Sequence, residues 1–199
     1  MTDKPILLLD MDGPLADFNG HFYRRCMELG VQFDIDHPER QTFYFLTEHI
    51  PDRAQRALSR LLCDSAGWFA QLPVEPGAIE GVQGLLGADL DIWVCTKPLE
   101  ANPGCLSEKH AWLVRYFPEL SDKLITAPDK SRILGHVLLD DAPSAAQVER
   151  ATWEPVVFET VYNGEGSEWG HYPRWAWGDD PEEIYERAAR RAYSGFGVL

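Results

Sequence analysis

The chain has 199 residues, 45% of them hydrophobic and 25% charged, with a formal net charge of −14. These are globular proportions for one α/β domain or one domain with an insertion, so disorder and a pair of large domains are both excluded. The acidity, without any Lys/Arg cluster, excludes polymeric nucleic acid as a partner, and an anionic small molecule would have to be met by a few cations and a metal gathered at one site.

The first element along the chain is Ile6–Leu9, a fully apolar run that ends abruptly in Asp10. Four residues are too few for a signal peptide or a membrane span, so no membrane partner is expected. Cys26, Cys63, Cys95 and Cys105 are widely spaced and lack a C-x-x-C pair, which argues against a disulfide framework or a zinc site. A reduced, cytoplasmic location is the expectation.

Residues 19–74 contain no run that reads as a buried strand. Phe22, Cys26 and Leu29 predict one helix closed by Gly30, and Asp52 predicts the cap of a second carrying Ala54, Leu58, Leu61 and Leu62. Short apolar runs then return. Ile92–Cys95 ends at Thr96, Leu124–Thr126 precedes Asp129 and Lys130, Val137–Leu139 ends at Asp140, and Val156–Phe158 ends at Glu159. Runs without alternation fit strands buried on both faces of a parallel sheet. Helical patterns separate them: Ser107 is placed as the cap of one carrying Trp112, Leu113 and Tyr116. Asp180–Pro181 opens another with Ile184, Ala188 and Ala192 on one face.

Strands alternating with helices predict an α/β fold, a doubly wound Rossmann-like parallel sheet. Residues 1–18 and 75–199 would form its core domain. Residues 19–74 would be a small helical cap inserted after the first strand, over the carboxyl edge where open α/β sheets bind ligands.

Four polar signals lie at or near the ends of these strand candidates: Asp10 with Asp12, Thr96, Lys130, and Asp140 with Asp141. Singly, each has a bland reading as a turn, a helix cap or a solvated side chain. Together, at one sheet edge, they suit phosphoryl transfer. The carboxylates supply hard oxygen ligands for Mg²⁺, one of them can attack phosphorus, and the lysine and hydroxyl can hold phosphoryl oxygens.

The segments DMDGPLADF, VCTKP, DK ten residues before LLDD, and LLDD itself resemble the four motifs of the haloacid dehalogenase superfamily. PGAIEGVQGL, EKHAWL and RWAWGDDPEEI are similar to its 5′(3′)-deoxyribonucleotidase branch. The resemblance runs from about Ile6 to Tyr185 and is thin through the helical insertion. It implies Asp10 as nucleophile, Asp12 as general acid and then base, and Thr96 and Lys130 as phosphate holders. It also implies Mg²⁺ on Asp10, the Asp12 carbonyl and the Asp pair, with Asp141 favoured as direct ligand and Asp140 beside it. Phe18 and the cap residues Tyr44, Phe45 and Leu46 would form the nucleoside pocket; ordinary cap core is the competing reading of these four.

Three departures from the branch put the identity of the nucleotide in doubt. Lys97 stands where a small serine is usual and would add a cation beside the phosphate, Pro128 replaces an arginine, and Ala142 replaces a charged residue. The six histidines lack metal-ligand spacing. Trp153, Trp169, Trp175 and Trp177 predict core packing or an oligomer contact, which leaves a homodimer open. The implied substrate is a (deoxy)nucleoside monophosphate. The alternatives are a sugar phosphate or other small phosphomonoester, with hydrolysis or phosphotransfer, and more remotely a phosphoacceptor signalling module. That last reading fits poorly, because such modules carry paired acids after the first strand and a lone acceptor Asp after the third.

Overall fold

In the computed structural model, which describes residues 4–194, six parallel strands form one sheet in the order β3-β2-β1-β4-β5-β6. They are β1 (Ile6–Leu9), β2 (Asp91–Thr96), β3 (Leu124–Thr126), β4 (Val137–Asp140), β5 (Glu154–Phe158) and β6 (Arg174–Trp175). The helices are α1 (Phe18–Glu28), α2 (Arg53–Cys63), α3 (Ala78–Gly87), α4 (Cys105–Tyr116), α5 (Ala145–Val148) and α6 (Pro181–Tyr193). None of these helices is long and apolar enough to cross a membrane.

The centre of the sheet is set by Leu7, Leu8 and Leu9, all fully buried. Side chains alternate across a strand, so the three divide between the two faces. Leu7 and Leu9 pack with Ile92, Val94, Leu139 and Val156, whereas Leu8 packs opposite, with Cys95, Leu138 and Trp153. Each buried leucine contributes about 1.5–3 kcal/mol relative to exposure. That demand for cover on both sides explains why these runs lack alternation. The strand order reverses between β1 and β4, which places Asp10 and Asp140 on either side of the switch point.

Several expected caps are observed. The Asp52 carboxylate accepts from the Gln55 N–H at 2.8 Å, Asp180 accepts from Glu182 N–H at 3.0 Å, and Gly30 takes φ +78° after α1. Ser107 is a correction: α4 begins earlier, with Gly104 at its N-cap. The Asn102 side chain accepts from Gly104 N–H at 2.8 Å and turns the chain there, so Ser107 lies inside the helix and donates to the Gly104 carbonyl at 2.9 Å. The two-residue β6 was not foreseen, because RWAW reads as an aromatic core segment.

Residues 19–74 hold most of α1, all of α2, and short 3₁₀ turns at Pro38–Arg40, Leu46–His49 and Phe69–Gln71, with no strand of the sheet. Phe22, Leu46, Ile50, Trp68 and Phe69 from this stretch join the core cluster of Leu7 and Leu9. Its return to the sheet is fastened to the start of α4. Asn102 Nδ2 donates to the carbonyls of Cys63 and Ser65, both at 2.8 Å. The Gly67 and Phe69 N–H groups donate to Glu108 at 2.6 and 3.0 Å, and the Trp112 indole donates to Leu72 O at 2.7 Å.

Candidate active site

All four polar signals converge at the carboxyl edge of the sheet. Carboxylate oxygens of Asp10, Asp140 and Asp141 lie within 4.8 Å of one another, and Lys130 Nζ sits 2.7 Å from both Asp10 Oδ1 and Asp140 Oδ2. Lys130 is aimed by its backbone. Asp129 caps the 3₁₀ turn Lys130–Arg132, the Lys130 N–H donates to Gln147 Oε1 at 3.0 Å, and its carbonyl accepts from Trp153 Nε1 at 3.1 Å.

The loop after β1 folds back tightly, with the Gly13 N–H on Ala16 O at 2.9 Å and the Ala16 N–H on Met11 O at 2.9 Å. Gly13 has φ +105°, and a Cβ there would lie 2.9 Å from Asp141 Cγ. Glycine is required on both counts, conformation and space. The close approach lets the Asp141 carboxylate reach Asp10.

The electrostatics follow from burial. Desolvation raises Asp10 to about 6; Lys130 pulls it down, while Asp140 and Asp12 push it up. Asp141 is held well above the usual carboxylate range, first by burial and then by Asp140 and Asp10. Burial also works against the Lys130 charge, but Asp10 and Asp140 outweigh it and hold the ammonium protonated.

A second lysine completes the group. Lys109, on α4, is fully buried and donates to Asp12 Oδ2 at 2.5 Å, Thr96 Oγ1 at 2.8 Å and the Lys97 carbonyl at 3.3 Å. It thereby joins the strand-end threonine to the D-x-D loop. Four carboxyl groups face two ammonium groups, and the upward shifts of Asp10 and Asp141 mark a site short of positive charge. That shortage and the hard oxygen donors fit a divalent cation held by Asp10 and the Asp pair.

Asp12 and Asp141 open onto a cleft of about 1020 Å³ that Phe18, Tyr44, Phe45 and Leu46 also line. Phe18 packs on Trp68 and Phe69 with centroids 5.9 and 6.3 Å away. Tyr44 lies against Tyr162 and Trp169, both at 5.8 Å, whereas Leu46 is buried and Phe45 is largely exposed. The Lys97 side chain is exposed, while its carbonyl accepts from Lys109 Nζ beside Thr96.

A family model for the cytosolic type C protein of the 5′ nucleotidase, deoxy (pyrimidine) group matches residues 4–180. The chain belongs to this 5′-nucleotidase family. Among nucleotidases with curated names, the mitochondrial 5′(3′)-deoxyribonucleotidase of Homo sapiens is 31% identical over 164 residues, covering 79% of this chain and 71% of that protein. The cytosolic-type 5′(3′)-deoxyribonucleotidase of Homo sapiens is 30% identical over 167 residues, covering 79% and 81%. A haloacid dehalogenase-like family hydrolase from Xanthomonas campestris shares the fold with a TM-score of 0.55 at 13% identity, over 97% of this chain and 100% of that one. The chain is thus a nucleotidase, a hydrolase, and its α/β Rossmann-like core is the fold shared with that haloacid dehalogenase-like hydrolase.

Two features of this nucleotidase escaped the sequence reading. Lys109 lay within EKHAWL, and its signal was legible: Cys105, Lys109, Trp112 and Tyr116 follow helical spacing, so a lysine sits on a buried stripe. Tyr162 and Asn163 carry no such signal. The Tyr162 hydroxyl donates to Asp141 Oδ2, and Asn163 Nδ2 donates to the Asp141 carbonyl at 2.8 Å.

Proposed function

We propose that this nucleotidase is a Mg²⁺-dependent 5′(3′)-deoxyribonucleotidase, hydrolysing nucleoside monophosphates through an aspartyl-phosphate. The observation that carries the reading is the buried meeting of Asp10, Asp140, Asp141 and Lys130 beneath an aromatic-lined cleft. In the same reading, residues 19–74 act as a cap over a core formed by residues 1–18 and 75–199. Four free cysteines are in keeping with action in the reducing cytoplasm.

The Asp10 carboxylate attacks phosphorus while Thr96 and Lys130 bind the phosphoryl oxygens. Asp12 gives its proton to the leaving nucleoside oxygen. It then takes a proton from the water that cleaves the acyl phosphate, which restores Asp10. Lys109 holds Asp12 and Thr96 in register throughout.

Asp10, the Asp12 carbonyl and Asp141 would hold Mg²⁺, which supplies charge neutralisation for the phosphoryl group. The hydrogen bonds favour Asp141 over Asp140 as the direct ligand. Asp140 has one oxygen on Lys130 and the other on the Ala142 N–H at 2.8 Å, whereas Asp141 has a protein donor on Oδ2 alone among the described residues.

The apolar aromatic lining of the cleft favours a nucleoside over a sugar phosphate. The test is phosphate release with Mg²⁺ across deoxy- and ribonucleoside monophosphates, sugar phosphates and p-nitrophenyl phosphate. Turnover of sugar phosphates in preference to every nucleotide overturns the substrate reading.

A further inference from the structure

The loop after β5 lies between the aromatic run of the cap and the Asp pair. Its Tyr162 is buried, and the phenol touches both sides. The hydroxyl donates to Asp141 Oδ2, and the ring packs edge-on against Tyr44 at 5.8 Å with an interplanar angle of 72°. The loop itself is anchored. Asn163 Nδ2 donates to the carbonyls of Asp141 and Phe158 at 2.8 and 2.7 Å, and Asn163 Oδ1 accepts from the Thr160 N–H at 3.0 Å and from Arg174 Nη2 at 2.9 Å.

Tyr44 packs against a second residue of the same loop, Trp169, whose indole N–H donates to the Pro143 carbonyl at 3.1 Å. Both aromatic contacts of Tyr44 with the core therefore fall on residues that hydrogen-bond to the segment from Asp141 to Pro143. On its other side the Asp141 carboxylate is walled by Gly13, where a Cβ would stand 2.9 Å from Cγ.

We propose that Tyr162 is a positioning residue for the divalent-cation site. Pinned between Gly13 and the phenol, the Asp141 carboxylate keeps Oδ2 on Tyr162 and turns Oδ1 to the cation. A carboxylate with one oxygen already committed has fewer orientations to lose on binding, so the hydroxyl raises cation affinity without being a ligand. Tyr44 supports the ring from the cap and ties the cap to this arrangement. The inference rests on the metal reading of Asp10, Asp140 and Asp141.

The test is direct Mn²⁺ binding to metal-free protein, followed by loss of the free-ion electron paramagnetic resonance signal, with Mg²⁺ as competitor. Tyr162→Phe deletes one oxygen and keeps the ring against Tyr44, so the fold is retained; circular dichroism of the metal-free variant checks this. The expected result is a Kd for Mn²⁺, and for competing Mg²⁺, raised about tenfold. The Mg²⁺ concentration giving half-maximal phosphate release should rise in parallel. A Tyr162→Phe protein that binds Mn²⁺ as tightly as the wild type, or more tightly, overturns the role of Tyr162 and leaves the metal site standing. A wild-type protein that binds no Mn²⁺ overturns the metal site and this role with it.

Discussion

Lys109 Nζ lies 2.5 Å from Asp12 Oδ2, across 97 positions of sequence, while Asp12 Oδ1 is buried without a hydrogen-bond partner among the described residues. One oxygen of the proposed acid/base is thus fixed and the other is left to handle a proton. Lys109→Met should keep the packing of α4 but leave Asp12 without its ammonium. Losing one partner of a buried pair destabilises the fold by about 3–5 kcal/mol, and the part-exposure of Asp12 brings the expected loss of stability nearer 2 kcal/mol. Turnover of a nucleoside monophosphate should fall about 100-fold, with a smaller effect on p-nitrophenyl phosphate, whose leaving group needs little protonation. Steady-state kinetics on both substrates check this; equal losses would count against a role through Asp12.

Asp10→Asn removes the attacking carboxylate while keeping shape and an oxygen toward Lys130. Turnover should drop by several orders of magnitude with the fold intact. Asp12→Asn should instead trap phosphate on Asp10, because no base remains to activate water. Mass spectrometry of acid-quenched protein locates the adduct, and finding it on any other residue refutes the assignment.

Chelation should abolish phosphate release, and Mg²⁺ should restore it at least as well as Zn²⁺, since the convergent ligands are carboxylates without a histidine or cysteine among them. Undiminished turnover in exhaustively chelated protein would sink the mechanism.

Gly13→Ala places a side chain at φ +105° and a Cβ against the Asp141 carboxylate. Strain of about 1–3 kcal/mol is expected, and Asp141 must move to relieve the contact. A lower Tm should accompany a weaker Mg²⁺ response; a wild-type Mg²⁺ response would mean that Asp141 is not confined by this loop.

Glu75 lines the cleft, and burial, followed by the Asp17 charge, raises it to about 7 from an ordinary 4.5. Between those values the folded protein holds a proton that the unfolded chain has released, so this group's contribution to stability falls as pH rises through the window. Glu75→Gln removes the dependence. It should leave stability nearly unchanged at pH 5 and raise it by about 1–2 kcal/mol at pH 8, a figure reduced for the partial exposure of Glu75. Denaturant unfolding at the two pH values measures the difference, and an equal effect at both would refute the assignment.

The sequence alone determined the strands that matter and the residues at their ends. A strand buried on both faces must be apolar throughout, so Ile6–Leu9 and Val137–Leu139 announced themselves, and the polar residue that stopped each run was the one facing the sheet edge. The acid-rich inventory likewise pointed to phosphoryl transfer before any contact was known. The two-residue β6 was beyond reach, because its pairing rests on backbone hydrogen bonds to β5 that leave no periodic mark. Only the tertiary structure decided how the site is held. Lys109 reaches Asp12 because α4 packs beneath the β1 loop, and Tyr162 reaches Asp141 because the loop after β5 folds back over β4. Local sequence encodes propensity and burial within one element, whereas these contacts join residues 97 and 21 positions apart, brought together by the winding of the sheet.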